Sequence, residues 1–281
     1  MPSDLLSSSL IKIACDLSEK RVTARDLIEA VIARHDRFGE RLHAYSLWAP
    51  EQARAVAAAA DAAFSAGVTV GPLQGLPVSI KDLFAVTGYH CFAGSSRRLP
   101  ADPWERDGPL IATLRRQLGV IIGKTHMVEF AFGGTGHNSH WGAPYNPWDA
   151  TAHRAPGGSS SGAGVSLLEG SALLAFGSDT AGSVRIPACM TGTVGLKVTL
   201  GRWPADGVVP CPQPLTLRAC WRAASQTLRM ALPHWIRAAS TLAGSSRERA
   251  HATSPAFALA SATRSCGATA IRGSPKPSTR P

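Results

Sequence analysis

The stretch from Gly157 to Pro187 constrains this chain more than any other part of it. It opens Gly157-Gly158-Ser159-Ser160-Ser161-Gly162-Ala163-Gly164 and closes Gly177-Ser178-Asp179-Thr180-Ala181-Gly182-Ser183-Val184-Arg185-Ile186-Pro187. Runs of glycine and serine let backbone N–H groups approach a ligand with no Cβ in the way. Between the two runs, residues 163–170 read as a helix and Leu173-Leu174-Ala175-Phe176 as a buried strand. A further helical piece is expected from Ser183. Two flexible linkers would have a similar composition, but linkers are not normally interrupted by a short apolar strand and followed by Val-Arg-Ile-Pro.

The segments before this stretch alternate helices with short apolar strands, the pattern of an α/β fold. Apolar residues at helical spacing over 5–17 predict a first helix. Thr23, with Asp26 three positions on, predicts a capped start for a second over 24–36, burying Leu27, Ile28, Val31 and Ile32. Pro50 suits the first turn of an alanine-rich helix over 51–65, ended by Gly67. None of these helices offers catalytic groups, so they read as scaffold. Gly71-Pro72-Leu73-Gln74-Gly75-Leu76-Pro77-Val78-Ser79-Ile80-Lys81-Asp82 then leads turn residues into a short strand ending in a lysine. Taken alone, Lys81 is an exposed lysine after a strand or a functional one. Residues 109–117 read as a helix and Val120–Thr125 as a parallel-type strand.

Together these segments resemble the amidase signature family. The family's patterns are Gly-Pro-Leu-x-Gly-(Ile/Val)-Pro-x-x-(Ile/Val)-Lys-Asp, then Gly-Gly-Ser-Ser-(Gly/Ser)-Gly, then Gly-(Thr/Ser)-Asp-x-Gly-Gly-Ser-x-Arg-x-Pro. The family's two serines lie 24 positions apart, as Ser159 and Ser183 do here. Glu129-Phe130-Ala131, Asn146-Pro147-Trp148-Asp149, Gly195-Leu196-Lys197 and Asp206-Gly207-Val208-Val209-Pro210 also fit. Two departures stand out: Ala181 replaces a usual Gly, and Val198 a usual Pro.

The resemblance implies an α/β fold with a mixed central β-sheet flanked by α-helices on both faces. It implies an amidase, a hydrolase of carbon–nitrogen bonds, working through an acyl-enzyme. Ser183 becomes the nucleophile, Ser159 the bridging serine in a cis peptide, and Lys81 the base, which must lose its charge to act. Backbone N–H groups of Thr180, Ala181, Gly182 and Ser183 would meet the oxyanion, and the backbone near Ala131 would line the substrate cleft. Ala181 would restrict its loop if the backbone there needs positive φ. Arg185 is left between a substrate carboxylate and a structural ion pair. The expected partner is a small-molecule amide, with no cofactor and no metal; a homodimer is left open.

Other classes fit less well. Gly158-Ser159-Ser160-Ser161-Gly162 matches the nucleophile elbow of α/β-hydrolases, but residues 151–156 are not strand-like. His137 and His140 have ligand-like spacing, yet no third ligand is placed to join them. Within the family, the glutaminase component of a tRNA-dependent amidotransferase is a rival reading, and so is an inactive truncated remnant.

The net charge of +10 looks like a nucleic-acid footprint until it is divided. Residues 1–210 hold 19 Lys+Arg against 18 Asp+Glu, whereas 211–281 hold 10 against one. Basicity belongs to the tail, so no nucleic-acid surface is expected on the main domain. The six cysteines include no C-x-x-C pair and fit a reducing cytoplasm. The N-terminus lacks a signal-peptide core and no run is long enough to span a membrane.

The family pattern stops near Pro210, which suggests an incomplete amidase domain over 1–210 and an atypical tail over 211–281 rich in Ala, Arg, Ser and Pro. That tail is expected to be disordered or translated out of frame. Back-translating Cys220–Arg229 and reading from each third base can give Leu-Ala-Arg-Ser-Val-Ala-Asp-Ala-Ala, a stretch like the one family members carry there. The nucleotide sequence tests this, and the idea fails if no such frame lies beneath the tail.

Overall fold

The computed structural model describes residues 5–210 and the backbone of Arg218–Arg222. The expectations for the remainder of the tail lie outside the described residues.

The first helix, α1 (Leu10–Ser18), starts later than the apolar spacing suggests, because Ser9 accepts from the Lys12 N–H and caps it. The second, α2 (Ala24–Leu42), begins where Thr23 and Asp26 form a full capping box. It buries Leu27, Ile28, Val31 and Ile32 and continues past Asp36 until His43 turns left-handed. Each of these buried side chains contributes about 1.5–3 kcal/mol relative to exposure. Next come β1 (Tyr45–Trp48) and α3 (Pro50–Ser65). The alanines at 53, 57 and 60 are buried on α3, and their small size lets it sit close to α2.

The chain continues through β2 (Pro77–Lys81), the single turn α4 (Ala101–Trp104), α5 (Pro109–Arg116) and β3 (Val120–Thr125). After a 3-10 turn at Glu129–Ala131 come α6 (Ser161–Glu169), β4 (Leu174–Ser178), α7 (Arg185–Thr191), β5 (Val194–Lys197) and β6 (Arg218–Arg222). The strands form one mixed sheet in the order β1-β3-β2-β4-β6-β5. β2 pairs in parallel with β3 and β4, and the remaining pairings are antiparallel. Parallel strands need cover on both faces, and β2, β3 and β4 are buried throughout. The fold is α/β, a mixed sheet with flanking helices, and α6 packs on β2, β3, β4 and β6. No helix among the described residues is long and apolar enough to cross a membrane.

Two consequences matter for chemistry. β2 lies between β3 and β4, so the lysine at its end is enclosed by neighbouring strands. β4 runs on to Ser178, beyond the apolar run that marks it in the sequence, and carries that hydroxyl to the level of Lys81.

Candidate active site

Lys81 is fully buried. Side chains alternate along a strand, so Ser79 and Lys81 share one face of β2 while Val78 and Ile80 take the other. The Ser79 hydroxyl meets Ser166 of α6 at 3.0 Å, which identifies the face of Lys81 as the one turned to α6. The Lys81 amine donates to Ser159 Oγ at 2.7 Å and to Ser178 Oγ at 2.8 Å. Removal from water disfavours an ammonium relative to a neutral amine. The neighbouring Asp82 belongs to a different pair: its carboxylate lies 2.8 Å from the ammonium of Lys124, and both are buried. Lys124 also donates to the His90 carbonyl at 3.3 Å.

The loop carrying Ser159 is held by backbone contacts on both sides. The Gly158–Ser159 peptide is cis. Gly158 N–H donates to Gly134 O at 2.8 Å, and Val128 N–H donates to Ser159 O at 3.0 Å. A Cβ on Gly158 would stand 2.7 Å from the Gly136 nitrogen, so only glycine allows this approach. Ser159, Ser160 and Ser161 are all fully buried, and α6 starts directly after them. Ser160 ties this loop to the next: its N–H donates to Ser183 O at 3.2 Å and its hydroxyl to Ser178 O at 3.3 Å.

Asp179 organises the loop of Ser183. Its wholly buried carboxylate accepts from the N–H groups of Gly182 (2.8 Å), Val184 (3.2 Å) and Arg185 (3.3 Å). It also accepts two bonds from the Arg185 guanidinium, each 3.0 Å. Burial pushes this carboxyl up, but the guanidinium and the three N–H groups more than reverse that and hold it below the usual carboxylate range. Arg185 is thus engaged as an ion pair while 54% of its side chain stays exposed. Positive φ falls on Gly182, at 127°, and not on Ala181, so the alanine does not strain the loop.

Ser183 is 7% exposed, and its hydroxyl makes no hydrogen bond among the described residues. The structure brings Lys81 and Ser159 into direct contact, and the Ser160 N–H ties the loop of Ser183 to the loop of Ser159. Of the four expected oxyanion donors, Gly182 N–H is committed to Asp179. Those of Thr180, Ala181 and Ser183 make no hydrogen bond among the described residues. Ala131 lies in the 3-10 turn with positive φ at both Phe130 (46°) and Ala131 (62°). Its N–H is used on Val128 O at 2.9 Å. His140 meets Glu129 at 3.2 Å, and no cluster of three metal-ligating side chains occurs among the described residues.

Sequence reasoning misses Ser178 and Asp179 as contributors, although both stand in the quoted pattern as the residues before Thr180. Their signal is the pattern itself: a hydroxyl and a carboxylate just past a buried strand.

A lysine buried against two serines, beside a glycine loop that presents a third serine, defines the class. The chain belongs to the amidase family, whose family model matches residues 26–219. Among curated relatives it is 57% identical over 202 residues to a 2-amino-5-chloromuconic acid deaminase of Comamonas testosteroni, covering 72% of this chain and 44% of that protein. It is 37% identical over 206 residues to a component of the glutamyl-tRNA(Gln) amidotransferase of Geobacter sulfurreducens, covering 73% and 42%. A crystal structure of an amidase superposes with a TM-score of 0.75 at 32% identity, covering 83% of this chain and 52% of that one. The chain therefore spans about half the length of the relatives it matches.

Proposed function

We propose that the chain hydrolyses the C–N bond of a small carboxylic amide through an acyl-enzyme on Ser183. The observation that carries this reading is the 2.7 Å contact between the buried Lys81 amine and Ser159. A serine hydroxyl is too weak an acid to attack unaided and needs a base within reach. Substrate entry brings the Ser183 hydroxyl onto Ser159; such contacts commonly tighten only when substrate binds. Ser183 Oγ then bonds to the carbonyl carbon while its proton passes to Ser159, and the Ser159 proton passes to the neutral Lys81. The oxyanion that forms meets the N–H groups of Thr180, Ala181 and Ser183. Gly182 holds the loop in shape through Asp179. When the C–N bond breaks, the nitrogen takes the proton back from Lys81 through Ser159 and leaves as ammonia or an amine. Water then repeats the sequence on the ester, releasing the acid and restoring Ser183. In this reading the backbone near Ala131 lines the substrate cleft, and the half-exposed Arg185, paired with Asp179, faces a substrate carboxylate.

The identity to the deaminase adds an amino-substituted unsaturated diacid to the compounds worth offering, as a separate reading, since its amine stands on a chain carbon and its loss would not pass through an acyl-enzyme. The likeness to an amidotransferase component supports a second reading, glutamine hydrolysis feeding ammonia to a partner. In this proposal residues 1–210 form an incomplete amidase domain that acts in the cytoplasm, alone or as a homodimer, and 211–281 is an atypical basic tail.

The test is ammonia release from a panel holding simple amides, glutamine and an aminomuconic acid, by wild type and by Ser183→Ala. Release from an amide or from glutamine that falls about a thousandfold or more in the variant supports the mechanism. A wild-type protein that unfolds cooperatively yet releases nothing refutes it and favours the inactive remnant.

A further inference from the structure

Ile186 sits where three loops of the site meet. Its Cδ1 is 3.7 Å from the place a Cβ would occupy on Gly134, and 2.9 Å from the corresponding place on Gly182. Its backbone carbonyl carbon is 3.2 Å from that place on Gly157. One residue therefore stands beside the loop after Ala131, the loop before Ser159 and the loop that holds Ser183. Among the described residues, chain neighbours aside, only Ile186 comes within 4 Å of the Gly134 and Gly182 positions. The backbone on both sides is bare, and Ile186 supplies the apolar surface between them. Its N–H donates to Gly182 O at 2.7 Å, which fixes the first turn of α7 against the nucleophile loop. The side chain is only partly buried, so one side of it stays open. Phe130 and Phe132, the latter 74% exposed, flank Ala131 in the loop that leads to Gly134.

We propose that Ile186 is the apolar wall of the acyl-binding part of the cleft, and that its bulk sets how broad an acyl group Ser183 accepts. The inference rests on the proposed amide hydrolysis and adds the residue that selects among amides. In this proposal an acyl group on Ser183 extends past Gly182 and meets Ile186, whose Cδ1 lies beside that glycine. Shortening Ile186 opens a space that a branched acyl group fills, and lengthening it closes that space to anything wider than acetyl.

The experiment compares wild type with Ile186→Ala, Ile186→Val and Ile186→Phe on acetamide, isobutyramide and cyclohexanecarboxamide. The ratio of kcat/KM for the broad amides to that for acetamide is expected to rise about tenfold or more in Ile186→Ala, within the range one to several methylenes command in an apolar pocket. It should rise less in Ile186→Val and fall in Ile186→Phe. A purely structural wedge would lower all three substrates together and leave the ratio fixed, which overturns the proposal.

A second readout needs no amide turnover. Methanesulfonyl fluoride and phenylmethanesulfonyl fluoride both form a bond from Ser183 Oγ to sulfur as the S–F bond breaks, fluoride leaving and the serine proton passing to base. The ratio of their labelling rates at Ser183, followed by intact mass and peptide mapping, should shift towards the aromatic reagent in Ile186→Ala and Ile186→Val and away from it in Ile186→Phe. If amides are not hydrolysed but this ratio moves as stated, the proposed function fails and the role of Ile186 stands. An unchanged ratio, or a wild-type Ser183 inert to both reagents, overturns the role, because an open subsite beside Ser183 is what it asserts.

Discussion

Replacing Asp179 with Asn keeps its size and removes its charge, which isolates what the carboxylate does for the nucleophile loop. In the native structure three backbone N–H groups converge on it. An Asn side chain offers one carbonyl oxygen; placed where Oδ2 stands, it keeps the bonds from Val184 and Arg185 and turns the amide NH2 against the Gly182 N–H. A hydrogen bond to a charged group is worth about 1.5–3 kcal/mol, and the Gly182 bond takes the high end because it is the shortest of the three, giving a loss of about 3 kcal/mol. The bonds from Arg185 are left out of this figure, since its exposed guanidinium is screened by water. For a domain of this size the loss corresponds to a drop in Tm of about 6–12 °C. The sign of its pH dependence follows from the depressed carboxyl. The folded state binds a proton less readily than the unfolded state, so the contribution is complete above the unfolded value, near pH ~4, and fades as pH falls through the lower folded value. Asp179→Asn removes that part of the acid sensitivity. Urea unfolding at pH 7 and at pH 3 measures both effects, and Ser183 labelling by a sulfonyl fluoride reports the loop. A variant within about 0.5 kcal/mol of wild type at pH 7, the range of an ordinary surface change, would refute the claim that Asp179 holds the loop in place.

Lys124→Met leaves the Asp82 carboxylate buried without its ammonium and should cost about 3–5 kcal/mol in urea unfolding. Adding Asp82→Leu should recover much of this, and a double variant no more stable than the single would count against a paired origin. Burial lowers the His126 imidazole to about 4. The unfolded chain therefore binds the proton first, and stability should rise with pH from about 4 to about 6.5 and then level off. His126→Gln should flatten that rise, as thermal unfolding across the pH range would reveal. Ser178→Ala removes one of the hydroxyls on Lys81. It should lower kcat about tenfold or more with little change in KM, since the base and not the substrate loses a partner; a change confined to KM would argue for a binding role.

Which parts of this are legible in the sequence follows from the range over which each signal acts. Thr23 and Asp26 satisfy each other within one turn, so the start of α2 can be read from four residues. Its end cannot, because the stripe continues through Gly39 and Leu42 and the stop depends on His43 turning left-handed. The strands β1 and β5 have only four residues each and exist by pairing with β3 and β6, which no local pattern announces. Ser159 and Ser183 are legible because their spacing and flanking glycines form a pattern. The role of Ser178 is not, since it depends on β4 lying beside β2 with Phe176 opposite Ile80. Whether Ala181 restricts its loop is hidden for a related reason: only the backbone decides which of two adjacent residues takes the positive φ, and here it is Gly182.

The same limit applies most sharply to the lysines. Lys81 and Lys124 both end or nearly end buried strands, both are fully enclosed, and Asp82 follows Lys81 in the chain. Adjacency in sequence would pair Asp82 with Lys81 and hold that lysine as an ammonium, which would spoil it as a base. Alternation along the strand decides otherwise. It turns Lys81 towards α6 and the serines, and it leaves Asp82 to the neighbouring strand, where β3 has placed Lys124 opposite Ile80. The carboxylate that stands next to the proposed base in the chain thus neutralises the other lysine, and the two buried amines take different partners because a strand sends consecutive side chains to opposite faces.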